Sequence, residues 1–435
     1  MSGNNGNRMN GRTVLIPRMS DEGAVTFAAA FRSVGIKAEA VAPSNARSLE
    51  LGARHTSGDE CYPEKVTLGD FLRAIDEVGA DKVAFFMPTA DGPCRFGQYA
   101  PYLRKVLRDM GHESIPVVSP TSSNGYDGLT EHAGELVRTA WRALVSADAV
   151  RKLRLRFRPY EQHKGDTDSA AEASLDDLCR VLERQNLDQK ARMKELVAAM
   201  ERTRDRFQSV TMRQEVRPLV GVVGEIFCRL SNFSNEDVIR KIEDHGGECW
   251  LSDVTEWVWY TNQQHEERLV NEGRKFSGAM LKAKIKGAVQ RRDEHKLLHP
   301  IHHLLVGREE PHGVEDVLER SRPYLPHTGA LGEMVLSVGK AIYLHEKGAA
   351  GIADISPFTC MNGIVCEAIY PRVSADQGGI PIRVFYFDGT QKSIEQEVGI
   401  FLQLVKNYQR KQLDAKGLKG VLKTTAPQWG VDQRT

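Results

Sequence analysis

The stretch DKVAFFMPTADGPCRFGQYAPYLRKVLRDMGHESIPVV, residues 81–118, carries a complete strand–helix–strand passage. VAFFM is apolar throughout, as a strand covered on both faces must be. A loop rich in Gly and Pro follows, then a helical run through YLRKVLRDM, then Gly111, then a second apolar run, IPVV. Glycine after a helix takes the left-handed cap that other residues resist, and the chain re-enters a sheet behind it. The same signature stands at FRSVGIKAEAV (Gly35), IDEVGADKVAFFM (Gly79), IEDHGGECWLS (Gly246) and LHEKGAAGIADI (Gly348). Ahead of Gly35, the apolar residues Ala24, Phe27, Ala28, Phe31 and Val34 recur at helical spacing. Helices alternating with buried strands predict parallel sheets with helices on each side.

The alternation breaks between about residues 130 and 214, where LTEHAGELVRTAWRALVSADAV and LDQKARMKELVAAMERTRDRF read as long helices. At 435 residues the chain is too long for one core. The expected order is a disordered N-terminus (1–11), a first α/β lobe (12–129), a helical insert (130–214), a second α/β lobe (215–408) and a flexible C-terminal tail (409–435). No internal repeat stands out. A cleft between two α/β lobes is the natural place for a site, because ligands bind outside the carboxyl ends of parallel strands.

Hydrophobic residues at 41% and charged residues at 27% exclude collagen-like, disordered and disulfide-scaffold classes. The 59 basic and 58 acidic side chains give a net charge of +1, which makes no global case for nucleic acid or an anionic membrane. No apolar run approaches the ~18 residues of a membrane span. MSGNNGNRMNGR has no apolar core behind its charges, so a cytoplasmic location is expected. Seven cysteines, an odd number in so long a chain, point to buried thiols, catalysis or metal rather than a disulfide framework.

Three of those cysteines share one setting. Cys61 lies in TSGDECYPEK before a helical stretch, Cys94 in PTADGPCRFGQY after the strand VAFFM, and Cys360 in ISPFTCMNG after the strand GIADI. Each should stand near a helix N-terminus on the carboxyl edge of a sheet. Backbone N–H groups and the helix dipole there favour the thiolate, the metal-binding form. Converging thiolates repel unless a cation neutralises them, and iron–sulfur clusters and zinc are the usual solutions. The chain has no CxxC pair, which speaks against a structural zinc site. The bland alternative is three small buried hydrophobes. Cys179 and Cys249 read as structural, Cys366 as helix packing, and Cys228 as the best further candidate for a fourth ligand.

CYPEK, GPCRFGQY and SPFTCMNGIVCEAIYP resemble segments of the 2-hydroxyacyl-CoA dehydratase component superfamily, most closely its acyl-CoA dehydratase activase-related branch. The likeness runs from about residue 13 to residue 407. It implies two flavodoxin-like lobes and a [4Fe-4S] cluster held between them by Cys61, Cys94 and Cys360, with one iron lacking a protein thiolate. GEIFCRLSNFSN is also similar to a family segment, but the family usually has another residue at the place of Cys228. The implied reaction is radical dehydration of a 2-hydroxyacyl-CoA to an enoyl-CoA. A separate ATP-dependent activase supplies the one electron needed, and a related dehydratase subunit is a further implied partner. The chain lacks GxxxxGK[ST], so any ATP would be bound by that partner. Membership of this branch does not by itself establish dehydration, and a low-potential electron-transfer subunit carrying the same cluster is the alternative.

Other features weigh less. RKLRLRFR (151–158) packs five basic residues into eight, read as a solvated face paired with acids just downstream rather than a docking surface. Lys282, Lys284, Lys286, Arg291 and Arg292 form a second basic cluster that a charged helix surface explains equally well. His295, His299, His302 and His303 crowd nine residues, but Pro300 interrupts the helix and HExxH is absent. Arg95 beside Cys94 would steady a negative cluster. Glu225 and Glu367 are candidate acid–base groups without an assigned role.

Overall fold

A computed structural model of the chain describes residues 11–89, 94–120, 133–326, 330–390, 394–415 and 425–427. The first lobe runs β1 (Thr13–Ile16), α1 (Asp21–Arg32), β2 (Ala38–Ala40), α2 (Ala46–Arg54), α3 (Tyr62–Val78), β3 (Val83–Phe86), a 3₁₀ turn (Arg95–Gln98), α4 (Tyr99–Asp109) and β4 (Val117–Val118). Three long helices follow: α5 (Ala133–Phe157), α6 (Asp166–Leu182) and α7 (Gln189–Gln208). The second lobe opens with β5 (Leu219–Gly224), α8 (Ile226–Leu230), α9 (Val238–Asp244), β6 (Glu248–Leu251), α10 (Val254–Asn271) and α11 (Gly278–Leu298). It continues through a 3₁₀ segment (His299–Leu305), α12 (Val314–Ser321), α13 (Glu333–Glu346), β7 (Gly351–Pro357), α14 (Met361–Asp376), β8 (Ile382–Phe387) and α15 (Ile394–Ala415).

Each lobe holds a four-stranded, all-parallel sheet, ordered β2-β1-β3-β4 in the first and β6-β5-β7-β8 in the second. The second sheet repeats the order of the first, consistent with two flavodoxin-like lobes. No repeat in the sequence announced this, because buried parallel strands specify apolarity rather than identity. Val14 pairs with Ala38 and Ala84, and Val222 with Leu251 and Ala353, so β1 and β5 are the inner strands where the order reverses. The first sheet is covered on both faces. Val14, Ile16, Ala84 and Phe86 point into one core and Leu15, Val83 and Phe85 into another. Gly35, Gly79, Gly111, Gly246 and Gly348 all adopt positive φ, as their place after helices predicts.

The helical segment does not stand apart as an insert. α5 and α7 share one core with α1 and with Leu297, Ile301, Leu304 and Leu305 of the second lobe. The basic run 151–158 is not a solvated face either. Arg156 meets Glu248 at 2.7 Å, Arg158 meets Glu243 at 2.7 Å, and Lys152 meets Asp253 and Glu310 at 2.7 and 2.9 Å. These acids belong to the second lobe, and only Asp168, paired with Arg154 and Arg158, lies just downstream. The expected tail also needs correction. α15 continues to Ala415, and Thr425 hydrogen-bonds Tyr160 Oη at 2.6 Å and Arg217 N at 2.8 Å. Of the expected disordered N-terminus, residues 1–10 lie outside the described residues. Among the described residues no helix is long and apolar enough to cross a membrane.

Candidate functional site

Cys61, Cys94 and Cys360 are each the N-cap residue of a helix: α3, the 3₁₀ turn before α4, and α14. The local sequence makes them so. Pro63 at the start of α3 needs no N–H partner, and extended backbone at each cysteine turns the chain out of the preceding loop. None of the three side chains accepts a capping hydrogen bond, but the unpaired N–H groups of each first helical turn lower the thiol against the effect of burial. Thr359, just before Cys360, is held at φ 65, a left-handed conformation unusual for a β-branched residue. Residues 90–93, which include the Gly and Pro before Cys94, lie outside the described residues.

The two lobes meet at these loops. Tyr62 and Val66 of α3 belong to the second lobe's core, and Leu49 and Tyr62 crowd Gly389 so closely that a Cβ there would lie 2.8 and 3.0 Å from them. Two hydrogen bonds tie the first-lobe cysteine loops together. Cys61 Sγ lies 2.7 Å from Tyr99 Oη, and Arg95 Nη1 donates to Asp59 O at 2.8 Å. From the second lobe, the start of α13 lies against the Cys360 loop, where a Cβ on Gly332 would be 3.7 Å from Asn362 Oδ1.

Glu225, just past the carboxyl end of β5, connects the three thiols electrostatically. Burial, with the Glu225 carboxyl adding to it, pushes Cys61 and Cys360 up to about 12. Cys94 is the most exposed of the three, yet partial desolvation raises its thiol too, with Glu333 and Glu225 adding to it and Arg95 opposing. Cys228 is fully buried within α8, raised well above the ordinary thiol range by burial, then by Glu225, with Cys360 and Cys61 also contributing. It sits beneath the loops rather than on their surface.

The half-buried Glu225 and the buried Glu333 lie close enough to act on each other. Glu225 caps α8 by accepting from Phe227 N at 3.1 Å and Cys228 N at 2.8 Å, while Ile226 N donates to Glu333 Oε1 at 2.6 Å. Burial first, then the neighbouring Glu225, pushes Glu333 up to about 8. Arg229, with Nη1 on Gly224 O at 2.7 Å, is the cation acting on this pair and on Asp354. Its Nε and the buried Asn362 Oδ1 have no hydrogen-bond partner among the described residues.

The donor chemistry fits a cationic iron–sulfur group. Three thiols, each at a helix start, feel the Glu225 carboxyl, which together with burial disfavours uncompensated thiolates. Among the described residues no three His, Cys, Asp or Glu side chains are grouped to hold a single metal ion. In a cubic cluster each sulfur binds its own iron, so the thiols need not converge on one point.

The remaining candidates fall elsewhere. Cys366 Sγ and Cys249 Sγ donate to Met334 O and Ile239 O at 3.7 and 3.9 Å within the core, and Cys179 is half-buried on α6. Glu367 is exposed and accepts from Tyr386 Oη at 2.9 Å in a groove along β8. His303 Nε2 lies 3.1 Å from Gln208 Nε2, and the rings of His295 and His299 are tilted by 50° with centroids 6.1 Å apart. Sequence reasoning did not single out Glu333 or Tyr99. Tyr99 stands inside the quoted GPCRFGQY, but its contact spans 38 residues. Glu333 follows a glycine at a helix start, a signal too common to select it.

Comparison of the sequence with protein-family models and with curated proteins gave no match.

Proposed function

We propose that this chain is an iron–sulfur protein resembling a 2-hydroxyacyl-CoA dehydratase component, with Cys61, Cys94 and Cys360 holding a [4Fe-4S] cluster between the lobes. It receives one electron from a separate ATP-dependent activase and converts a 2-hydroxyacyl-CoA to an enoyl-CoA by radical dehydration. The observation that carries this reading is that three thiols from two lobes stand at helix starts, and that one half-buried carboxyl, Glu225, acts on all of them. When bound, the cluster supplies one-electron storage and a Lewis-acidic iron with an open position. The chain's own residues supply the rest. The positive ends of the helices that start at the cysteines and, at Cys61, the Tyr99 hydroxyl stabilise negative sulfur. Glu333 holds a proton near neutral pH; since its Oε1 accepts from Ile226 N, Oε2 is the oxygen free to carry that proton to a departing hydroxide.

The electron-transfer reading has one observation in its favour. An open groove of about 1020 Å³ runs along β8, α14 and α15, and none of the three cysteines lines it. Anaerobic reconstitution with iron and sulfide, followed by metal analysis, tests the cluster, with about four irons per chain expected. A colourless, iron-free protein would remove both readings. Incubation with activase, ATP, reductant and a panel of 2-hydroxyacyl-CoA thioesters then separates them, since an iron-loaded chain that gives no enoyl product favours the relay.

A further inference from the structure

Away from the cysteines, the second basic cluster stands on a surface with more to it than charge. From Gly273 to Arg292 the chain holds seven basic residues and no acid, in a protein whose net charge is only +1. This segment spans the tip of the hairpin formed by α10 and α11 and α11 itself as far as Arg292. Residues 272–276 are all exposed, and Phe276 is 96% exposed. Leu281 and Ile285, one turn apart on α11, are 63% and 57% exposed, with Ala288 exposed beyond them. At 100° per residue, Lys282 and Lys286 border this apolar stripe on one side and Lys284 and Arg291 on the other. The opposite side of α11, including Met280, Gln290 and Leu297, is buried, and the helix packs against α10, α5 and α7, so the stripe is held outward.

Local pairing does not cancel the charge. Lys284 meets the partly covered Glu266, and Arg292 lies 3.9 Å from Asp293, but the Arg274–Glu272 pair at 3.1 Å is exposed and weak, and Lys275 and Lys282 form no ion pair among the described residues. A second copy of the chain is a poor cover, since it would bring one predominantly cationic face against another. A folded acidic protein would need a concavity matched to Phe276, which projects from a convex tip. A fluid anionic surface needs no matched shape. It accepts apolar side chains at the headgroup boundary and pairs the bordering cations with phosphates.

We propose that the tip of the α10–α11 hairpin and the outer face of α11 form a peripheral contact for an anionic lipid bilayer, with Phe276, Leu281 and Ile285 entering the interface and Arg274, Lys275 and Lys282 meeting lipid phosphates. The contact uses none of the three cysteines and needs no membrane-spanning helix.

Co-sedimentation of the full chain with vesicles tests this. At low salt the protein sediments with phosphatidylcholine–phosphatidylglycerol vesicles, less so as salt is raised, and little with phosphatidylcholine alone. Lys275→Gln combined with Lys282→Gln lowers partitioning about thirtyfold. Phe276→Ser combined with Ile285→Ser lowers it about tenfold or more. All four positions are exposed, so circular dichroism and the thermal midpoint of both variants should match the parent. Failure to sediment with anionic vesicles at low salt overturns the proposal, as does unchanged sedimentation of both variants. Binding to soluble polyglutamate without vesicle binding would assign the face to an acidic protein and overturn it equally.

Discussion

Glu333 shows how one buried side chain couples the site to pH. Its carboxyl is raised from the ordinary carboxylate range to about 8, first by burial and then by Glu225. A carboxyl whose folded value lies above its unfolded value binds protons more tightly in the native state. The stability it contributes is therefore complete below about pH 4.5 and lost as pH rises through about 8. Denaturant unfolding of the parent should weaken across that window by on the order of a few kcal/mol, and Glu333→Gln should flatten much of the decline. The thiols give a second prediction. Serine at Cys61, Cys94 or Cys360 should remove most of the reconstituted iron, whereas serine at Cys179 or Cys249 should leave about four irons per chain. The three cysteines were legible because each follows a loop signal and precedes a helix. Their shared neighbour Glu225 was legible only as an acid at a strand end, and Glu333 not as a partner, since the pair is separated by 107 residues between Ile226 and Glu333 alone.

At the scale of elements, the α2–α3 crossing fixes where Cys61 stands. A Cβ on Gly52 would lie 1.8 Å from Lys65 O, and one on Gly69 would lie 1.6 Å from Ser48 O. These are backbone atoms that cannot rotate away, so the two helices touch main chain to main chain. Gly69→Ala should cost about 3 kcal/mol or more in denaturant unfolding, against well under 1 kcal/mol for Gly134→Ala, whose Cβ would meet nothing within 4 Å. Strands and caps were readable from short windows, since an apolar run behind a capping glycine needs no distant information. The close crossing was not, because a glycine in a helical pattern looks the same whether or not another helix presses on it.

Across the whole molecule, buried ion pairs join the long helices to the second lobe. Glu248, 1% exposed, accepts from Arg156 at 2.7 Å, Arg308 at 2.9 Å and Tyr160 Oη at 2.7 Å. Lys340, fully buried, meets Glu256 at 2.7 Å and also Glu310, which Lys152 shares. Removing one partner strands the others in low dielectric, so Glu248→Ala should cost about 3–5 kcal/mol in denaturant unfolding and lower the thermal midpoint. The two-lobe plan could be read from the alternation of elements. The fusion of the helical segment into both lobes could not, because the acids that neutralise Arg156 and Arg158 stand 92 and 85 residues further on.

The repeated strand order has one more consequence. Cys94 and Cys360 occupy corresponding places, each following the third strand of its lobe. The helix leading into that third strand begins at Cys61 in the first lobe and at Gly332 in the second, where Glu333 is the first helical residue. Duplicated topology thus supplies four matching launch points, three carrying a cysteine and the last Gly332 followed by Glu333, whose carboxyl is raised to about 8. On the proposed reading, the chain path itself leaves one quarter of the cleft without a sulfur, and that is the quarter a molecule from outside would occupy.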